Sequence, residues 1–209
     1  GVTIKQVATA VSGVLQVAGN DADNDEGSIQ FGGATSAPVV VSDTVGSDKK
    51  LWFECRIKKE SVDANSSALF VGLAEEGLAA TGTLADNTGA LADKDFLGFS
   101  VLHDSGAEVD FTYNKDGAGG VNVHQAAIAT MTADTFVKLG FVYDPDADDS
   151  ERIRVYVNGV ETSTPVAASD ISSSDFPDGE ELSFLFATKV GAAAESTVEI
   201  DWWRLAQMR

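Results

Sequence analysis

Two carboxylates stand near the end of the chain. In "TVEIDWWRLA", residues 197–206, Glu199 and Asp201 are two positions apart, which on a β-strand puts both on one face. Paired carboxylates held this way can share acid and base work in cleaving a glycosidic bond. The same period brings Trp203 onto their face and sends Trp202 to the other side with Val198 and Ile200. Trp52 repeats the arrangement in "KLWFECRIKK", where Trp52, Glu54 and Arg56 alternate with Leu51, Phe53, Cys55 and Ile57. An outward tryptophan beside charge offers a flat apolar plate to a sugar ring or to another protein. Trp52 and Trp203 are therefore the candidate interaction residues. Cys55, the single cysteine, lies on the apolar face and reads as a small buried hydrophobe.

Other chemistries find less to work with. His103 ends "FLGFSVLH" and His124 sits in "VNVHQ". Neither adjoins a nucleophile-elbow motif, and both read as solvent-facing strand residues. Two histidines and one cysteine also fall short of a three-histidine zinc site. "GAGG" at 117–120 lacks the Lys-Ser/Thr and helix of a phosphate loop and reads as a turn. Oxygen ligands are the exception. "DPDADDSE" (Asp144, Asp146, Asp148, Asp149, Glu151) and "DADNDEG" (Asp21, Asp23, Asp25) space carboxylates as a calcium loop would. Against the helix-loop-helix calcium pattern, Asp149 and Glu26 occupy the glycine position. Calcium is thus the one cofactor to weigh, with Asp144, Asp146, Asp148 and Glu151 as its candidate ligands. Solvated acidic turns are the simpler account.

The elements that must position these residues are strands. "RIRVYVNGV" at 152–160 sends Ile153, Val155 and Val157 one way and Arg152, Arg154 and Tyr156 the other, then closes on Asn158-Gly159. This is a half-buried strand ending in a hairpin. Similar strands are expected at 38–45, 50–59, 68–75, 95–103, 107–114, 120–128, 135–144, 181–189 and 197–206, with Gly- and Asp-rich turns between them. A short helical turn fits within 76–93. Many short strands without crossover helices predict an all-β fold, a jelly roll or β-sandwich of two antiparallel sheets. "ALFVGL", "FLGFSVL" and "LSFLFA" are apolar on both faces, as strands covered on both sides are. Either a loop layer or another subunit must cover the second face. Residues 1–36, rich in Gly, Ala, Ser and Asp, are expected to form a strand pair returning beside the C-terminal strand, or an extended arm; residues 37–209 form the main domain.

The chain carries 33 acids against 14 bases, a formal charge of −19. Such a surface repels nucleic acid and anionic membranes and favours solubility. No apolar run approaches the ~18 residues needed to cross a bilayer. Polar residues interrupt "VATAVSGVLQVAG", which argues against a signal peptide.

"TFVKLGFVYDP", "RIRVYVNGV", "ELSFLFATK" and "TVEIDWWRL" together resemble the concanavalin A-like, or laminin-G-like, jelly-roll superfamily, over residues 135–206 and more loosely over "LWFECRIK" and "ALFVGLAE". Within that superfamily, "KLWFECRIKKES", "FVGLAEEG" and "LADNTGALADKDFLGFSVLHDSG", followed by "DWWRLAQMR", resemble phage-encoded virion proteins that decorate or cement a capsid. This resemblance implies a non-enzymatic virion structural protein made in the host bacterial cytoplasm and carried on the capsid surface. It would contact capsid or other virion proteins and assemble as a homo-oligomer, a trimer or dimer. The alternative that the fold implies is a carbohydrate-binding, lectin- or adhesin-like module for host glycans, with calcium in its rim loops. Laminarinase-type glucanases share the fold and use a Glu-x-Asp-x-(x)-Glu strand. Glu199 and Asp201 match its first two positions, but Trp203 and Arg204 stand where the third carboxylate would fall, and without that acid the chain is not expected to be an enzyme.

Overall fold

The computed structural model describes residues 2–8, 10, 13–19, 23–32, 36–42, 49–86, 88–120, 122–191 and 196–208. Two antiparallel sheets face each other. Sheet A runs in the order β1 (Thr3–Gln6), β2 (Leu15–Gly19), β14 (Ser196–Gln207), β5 (Leu51–Lys59), β10 (Val137–Tyr143), β11 (Ile153–Val157) and β12 (Val160–Glu161). Sheet B runs β3 (Glu26–Gln30), β13 (Glu181–Val190), β6 (Ser67–Ala74), β7 (Phe96–Val101), β8 (Glu108–Asn114) and β9 (Asn122–Thr130); the short β4 (Val39–Val40) also pairs with β13. Two single-turn helices, α1 (Leu78–Thr81) and α2 (Ala168–Ile171), lie in the connections. The result is the concanavalin A-like jelly roll.

Alternation decides which residues fill the space between the sheets. Leu51, Phe53, Cys55 and Ile57 of β5 are buried while their neighbours on the strand are not. Phe53 stacks on Phe141 at 5.2 Å between ring centroids, and Phe99 meets Phe111 edge-on at 5.3 Å. The strands fall where the apolar pattern put them, with one reduction. Of the 38–45 stretch, only the two residues of β4 form a strand, and 43–48 lie outside the described residues. Asn158 and Gly159 both take positive φ, 51° and 82°, the backbone a tight hairpin needs between β11 and β12. The first 36 residues contribute to both sheets. The β1–β2 hairpin lies beside β14, and β3 lies beside β13.

The doubly apolar strands are β6, β7 and β13, neighbours in sheet B. Their second face is covered from within the chain. Leu78, Leu84 and Leu91, from the segment between β6 and β7, pack on Ala68, Phe70, Phe96, Leu185 and Ala187 as a second apolar cluster. Glu26 of β3 accepts hydrogen bonds from the Thr83 and Leu84 amides (2.6 and 3.2 Å), and Lys189 of β13 donates to Leu84 O and pairs with Asp86, each at 2.6 Å. The loop layer is thereby stapled to the sheet beneath it. Where it crosses β6 and β7, Gly72 and Gly98 stand opposite one another, and the Phe70 ring lies over both. A Cβ at Gly72 would come within 2.5 Å of Leu97 O, so the space under that ring exists only with glycine.

Candidate functional site

Among the described residues the outer face of sheet A has no such cover. Reading across its strands, Tyr156 (β11), Gly140 (β10), Glu54 (β5) and Arg204 (β14) form one row, and Arg154, Val142, Trp52 and Ala206 form the next. Because Gly140 lacks a side chain in the middle of the first row, the surface sinks there. The resulting groove holds about 420 Å³, with Trp52, Tyr156 and Arg204 around it. Trp52 is 39% exposed, and the Lys50 ammonium lies 5.8 Å from its ring centroid. The Tyr156 hydroxyl donates to Glu161 at 3.2 Å. Burial first, and then the Glu161 charge, hold that phenol above its ordinary range, so it stays a protonated hydrogen-bonding group at neutral pH.

The acids on this face are committed to bases. Glu54 pairs with Lys138 at 3.0 Å, Glu199 with Lys58 at 3.0 Å, and Asp201 with Arg56. Gln16 also donates to Glu199 at 3.2 Å. Glu199 and Asp201 are thus held by separate cations, and neither lines the groove.

The placement expected for Trp203 is corrected. Pairing of β14 with β5 slips between Ile200 and Trp202, a β-bulge at Asp201 that inserts one residue and reverses the alternation beyond it. Trp203 therefore turns inward, with its ring parallel to Phe184 (4.2 Å, 4°) and edge-on to Phe31 at 5.1 Å. Trp202 turns outward instead, beneath the Arg204 guanidinium at 4.8 Å. Phe31 is 62% exposed, and an apolar recess of about 340 Å³ opens between it, Trp203, Leu205 and Met208 at the sandwich edge.

The histidines also depart from expectation. His103 is fully buried, with Nε2 3.1 Å from Lys189 O. It lies just past β7, where the chain turns under Gly191 and Gly89 rather than outward. His124 is half-buried, with Nε2 3.1 Å from Pro165 O and its ring beside Tyr113. Cys55 is fully buried on the inner face.

The calcium candidates do not converge. Asp144 is held by Lys50, whose hydrogen bond keeps that carboxyl below the usual range, and Asp149 pairs with Arg152 at 2.6 Å. Asp146, Asp148 and Glu151 are exposed. Among the described residues no three His, Cys, Asp or Glu side chains are placed to hold a metal ion; Asp21 of the other acidic turn lies outside the described residues.

Tyr156, Gly140 and Arg204 were not singled out from the sequence as site residues. Tyr156 was legible as an outward residue in "RIRVYV", but the dip at Gly140 and the outward turn of Arg204 depend on strand pairing and on the bulge.

No protein-family profile matches the chain, and no curated protein matches it. Its fold does recur among solved structures. Peanut lectin bound to a 9-residue peptide matches with a TM-score of 0.56 at 15% identity, covering 100% of this chain and 92% of the lectin. The potassium-bound carbohydrate recognition domain of Emp46p matches at 0.57 and 11% identity, over 98% and 86% of the two chains. An endo-β-1,4-glucuronan lyase from the fungus Trichoderma reesei matches at 0.56 and 11%, over 98% and 87%. At these identities the likeness is one of fold.

Proposed function

We propose that this protein is a carbohydrate-binding module whose sugar site is the groove on the outer face of sheet A. One observation carries this most. An open trough with a glycine floor places Trp52 and Tyr156 beside the polar groups of Glu54 and Arg204. Sugar sites combine aromatic plates with a few fixed hydrogen-bonding groups in this way. The neighbours lend support, since two of them are a lectin and a carbohydrate recognition domain. Binding without turnover is favoured because Glu199 and Asp201 are each tied to a cation away from the groove, and the third carboxylate of a glucanase strand is missing. Screening the protein and Trp52→Ala on an array of neutral and acidic glycans tests this. Saturable binding by the wild type, lost in the variant, is expected; equal signals from both would reject the groove.

A second reading, a virion protein seated on a capsid surface, is favoured by one feature, the apolar sandwich edge with exposed Phe31 and Met208 beside Trp203. A neighbouring subunit would cover that edge. The doubly apolar strands no longer argue for such a contact, because the 76–94 layer covers them. Electron microscopy of particles from producing cells, with quantitative gel analysis, would detect a fixed copy number on a shell. Absence from every particle would end this reading.

A further inference from the structure

We infer that the groove takes an acidic glycan, a uronate-bearing chain whose carboxylates are gripped by Arg154 and Arg204. This rests on the carbohydrate-binding role proposed above. The inference follows from matching charges across the uncovered face. On β5, β10, β11 and β14 the outward bases are Arg56, Lys58, Lys138, Arg154 and Arg204, and the outward acids are Glu54, Glu199 and Asp201. Each acid takes one base: Glu54 Lys138, Glu199 Lys58, Asp201 Arg56. Nearby, Lys50 takes Asp144, and Glu161 accepts the Tyr156 hydroxyl. Two guanidiniums remain. Among the described residues neither Arg154 nor Arg204 has a carboxylate within ion-pair distance; the Arg154 charge acts on Asp144 only from farther off, the Arg204 guanidinium lies over the Trp202 ring, and Glu54, directly across from Arg204 in the strand register, is taken by Lys138. The Arg154 Nε is also buried without an acceptor.

Cations without a paired carboxylate run against the rest of the molecule. In a chain of formal charge −19, free arginines are the last groups expected to lack acids. Arg204 lines the trough on β14, and Arg154 stands beyond Val142 on β11, three strand spacings across and two residues along, roughly 16 Å away, with Trp52, Val142 and Gly140 between them. An arginine fork binds a carboxylate through two parallel hydrogen bonds, so the pair would grip acid groups of a chain lying on Trp52. A neutral sugar would leave both charges unanswered.

Isothermal titration tests the assignment with four oligosaccharide probes: β-1,4-linked glucuronate, α-1,4-linked galacturonate, and the matching neutral glucose and galactose chains. Charge-assisted hydrogen bonds predict that at least one uronate chain binds roughly tenfold or more tighter than its neutral counterpart. That preference should shrink as salt is raised. In Arg154→Met/Arg204→Met the preference should vanish, with uronate affinity falling much further than neutral affinity; the Lys versions should keep part of it. Thermal melting of the variants checks that they remain folded, as expected for surface positions. If neutral chains bind as tightly as uronates, the inference fails and the sugar-binding role stands. If uronates are preferred but the double Met variant keeps that preference, the assignment to these arginines fails. If no sugar binds, both fall.

Discussion

The two sheets differ in what lies against their outer faces. Sheet B is sealed by a loop layer, with Leu78, Leu84 and Leu91 fitted over Phe70 and Phe96 and stapled by Glu26 and Lys189. Sheet A presents charged rows interrupted by Trp52, Gly140 and Tyr156. The cover makes one sheet a support, since its apolar area is spent inside the chain. The open sheet carries the proposed sugar site, and its groove sets Trp52 and Tyr156 beside Glu54 and Arg204. A jelly roll can thus divide stability and recognition between its layers.

The comparison breaks most readily on the covered side. Phe70→Ala should cost about 3–5 kcal/mol, because the ring is fully buried against Phe96 and both glycines. Urea denaturation measures this, and a loss below about 1 kcal/mol would mean that the layer contributes little. Glycan affinity of the folded variant should be unchanged.

Next comes the far end of β5 from Trp52. There Lys59 points between the sheets, fully buried, donating to Ser67 O and Gly106 O at 2.7 Å each. Burial pulls its ammonium down to about 8, whereas in the unfolded chain it titrates near 10.4. Between these values the unfolded chain holds more protons. Wild-type stability should therefore rise through that window relative to Lys59→Met, by roughly 3 kcal/mol in all. The buried Cys55 thiol and the tyrosines are common to both proteins and cancel in the difference. Parallel pH profiles, read from urea midpoints at pH 7.5 and 10, would show that Lys59 carries no such penalty.

Trp52→Ala should act on recognition. A loss of roughly tenfold or more in glycan affinity is expected, with folding stability within about 1 kcal/mol for so exposed a position. A large stability loss with intact binding would place Trp52 among the supports. The smallest effect belongs to Asp201→Asn. It removes a half-exposed ion pair with Arg56 and should cost under about 1 kcal/mol. Reducing-end assays on polysaccharides should show no turnover before or after the change; turnover lost in Glu199→Gln would restore a catalytic role to that strand.

Much of this division was legible beforehand. Alternation in "LWFECRIKK" placed Trp52 outward and Cys55 inward, and "ALFVGL" and "LSFLFA" announced a covered sheet. What covered it was not legible, because Leu78, Leu84 and Leu91 are spread through a segment without periodicity. The C-terminal strand misled for a definite reason. A period of two holds only until a residue is inserted, and the bulge at Asp201 sent Trp203 to Phe184 and Arg204 to the groove. His103 misled because the end of β7 is roofed by Gly89 and Gly191, residues distant from it in sequence.

Gly140 has a consequence for how such a protein could change over generations. Any other residue there would bring its Cβ within 2.8 Å of Phe53 O, so strand β10 would have to shift before the trough could fill. The floor is accordingly closed to mutational drift. The rim is not: Trp52, Tyr156, Arg154 and Arg204 stand on separate strands and can be exchanged singly. A lineage built on this sheet would keep its trough while the side chains around it varied, and if the trough binds sugars as proposed, changes of ligand would be recorded in those four positions.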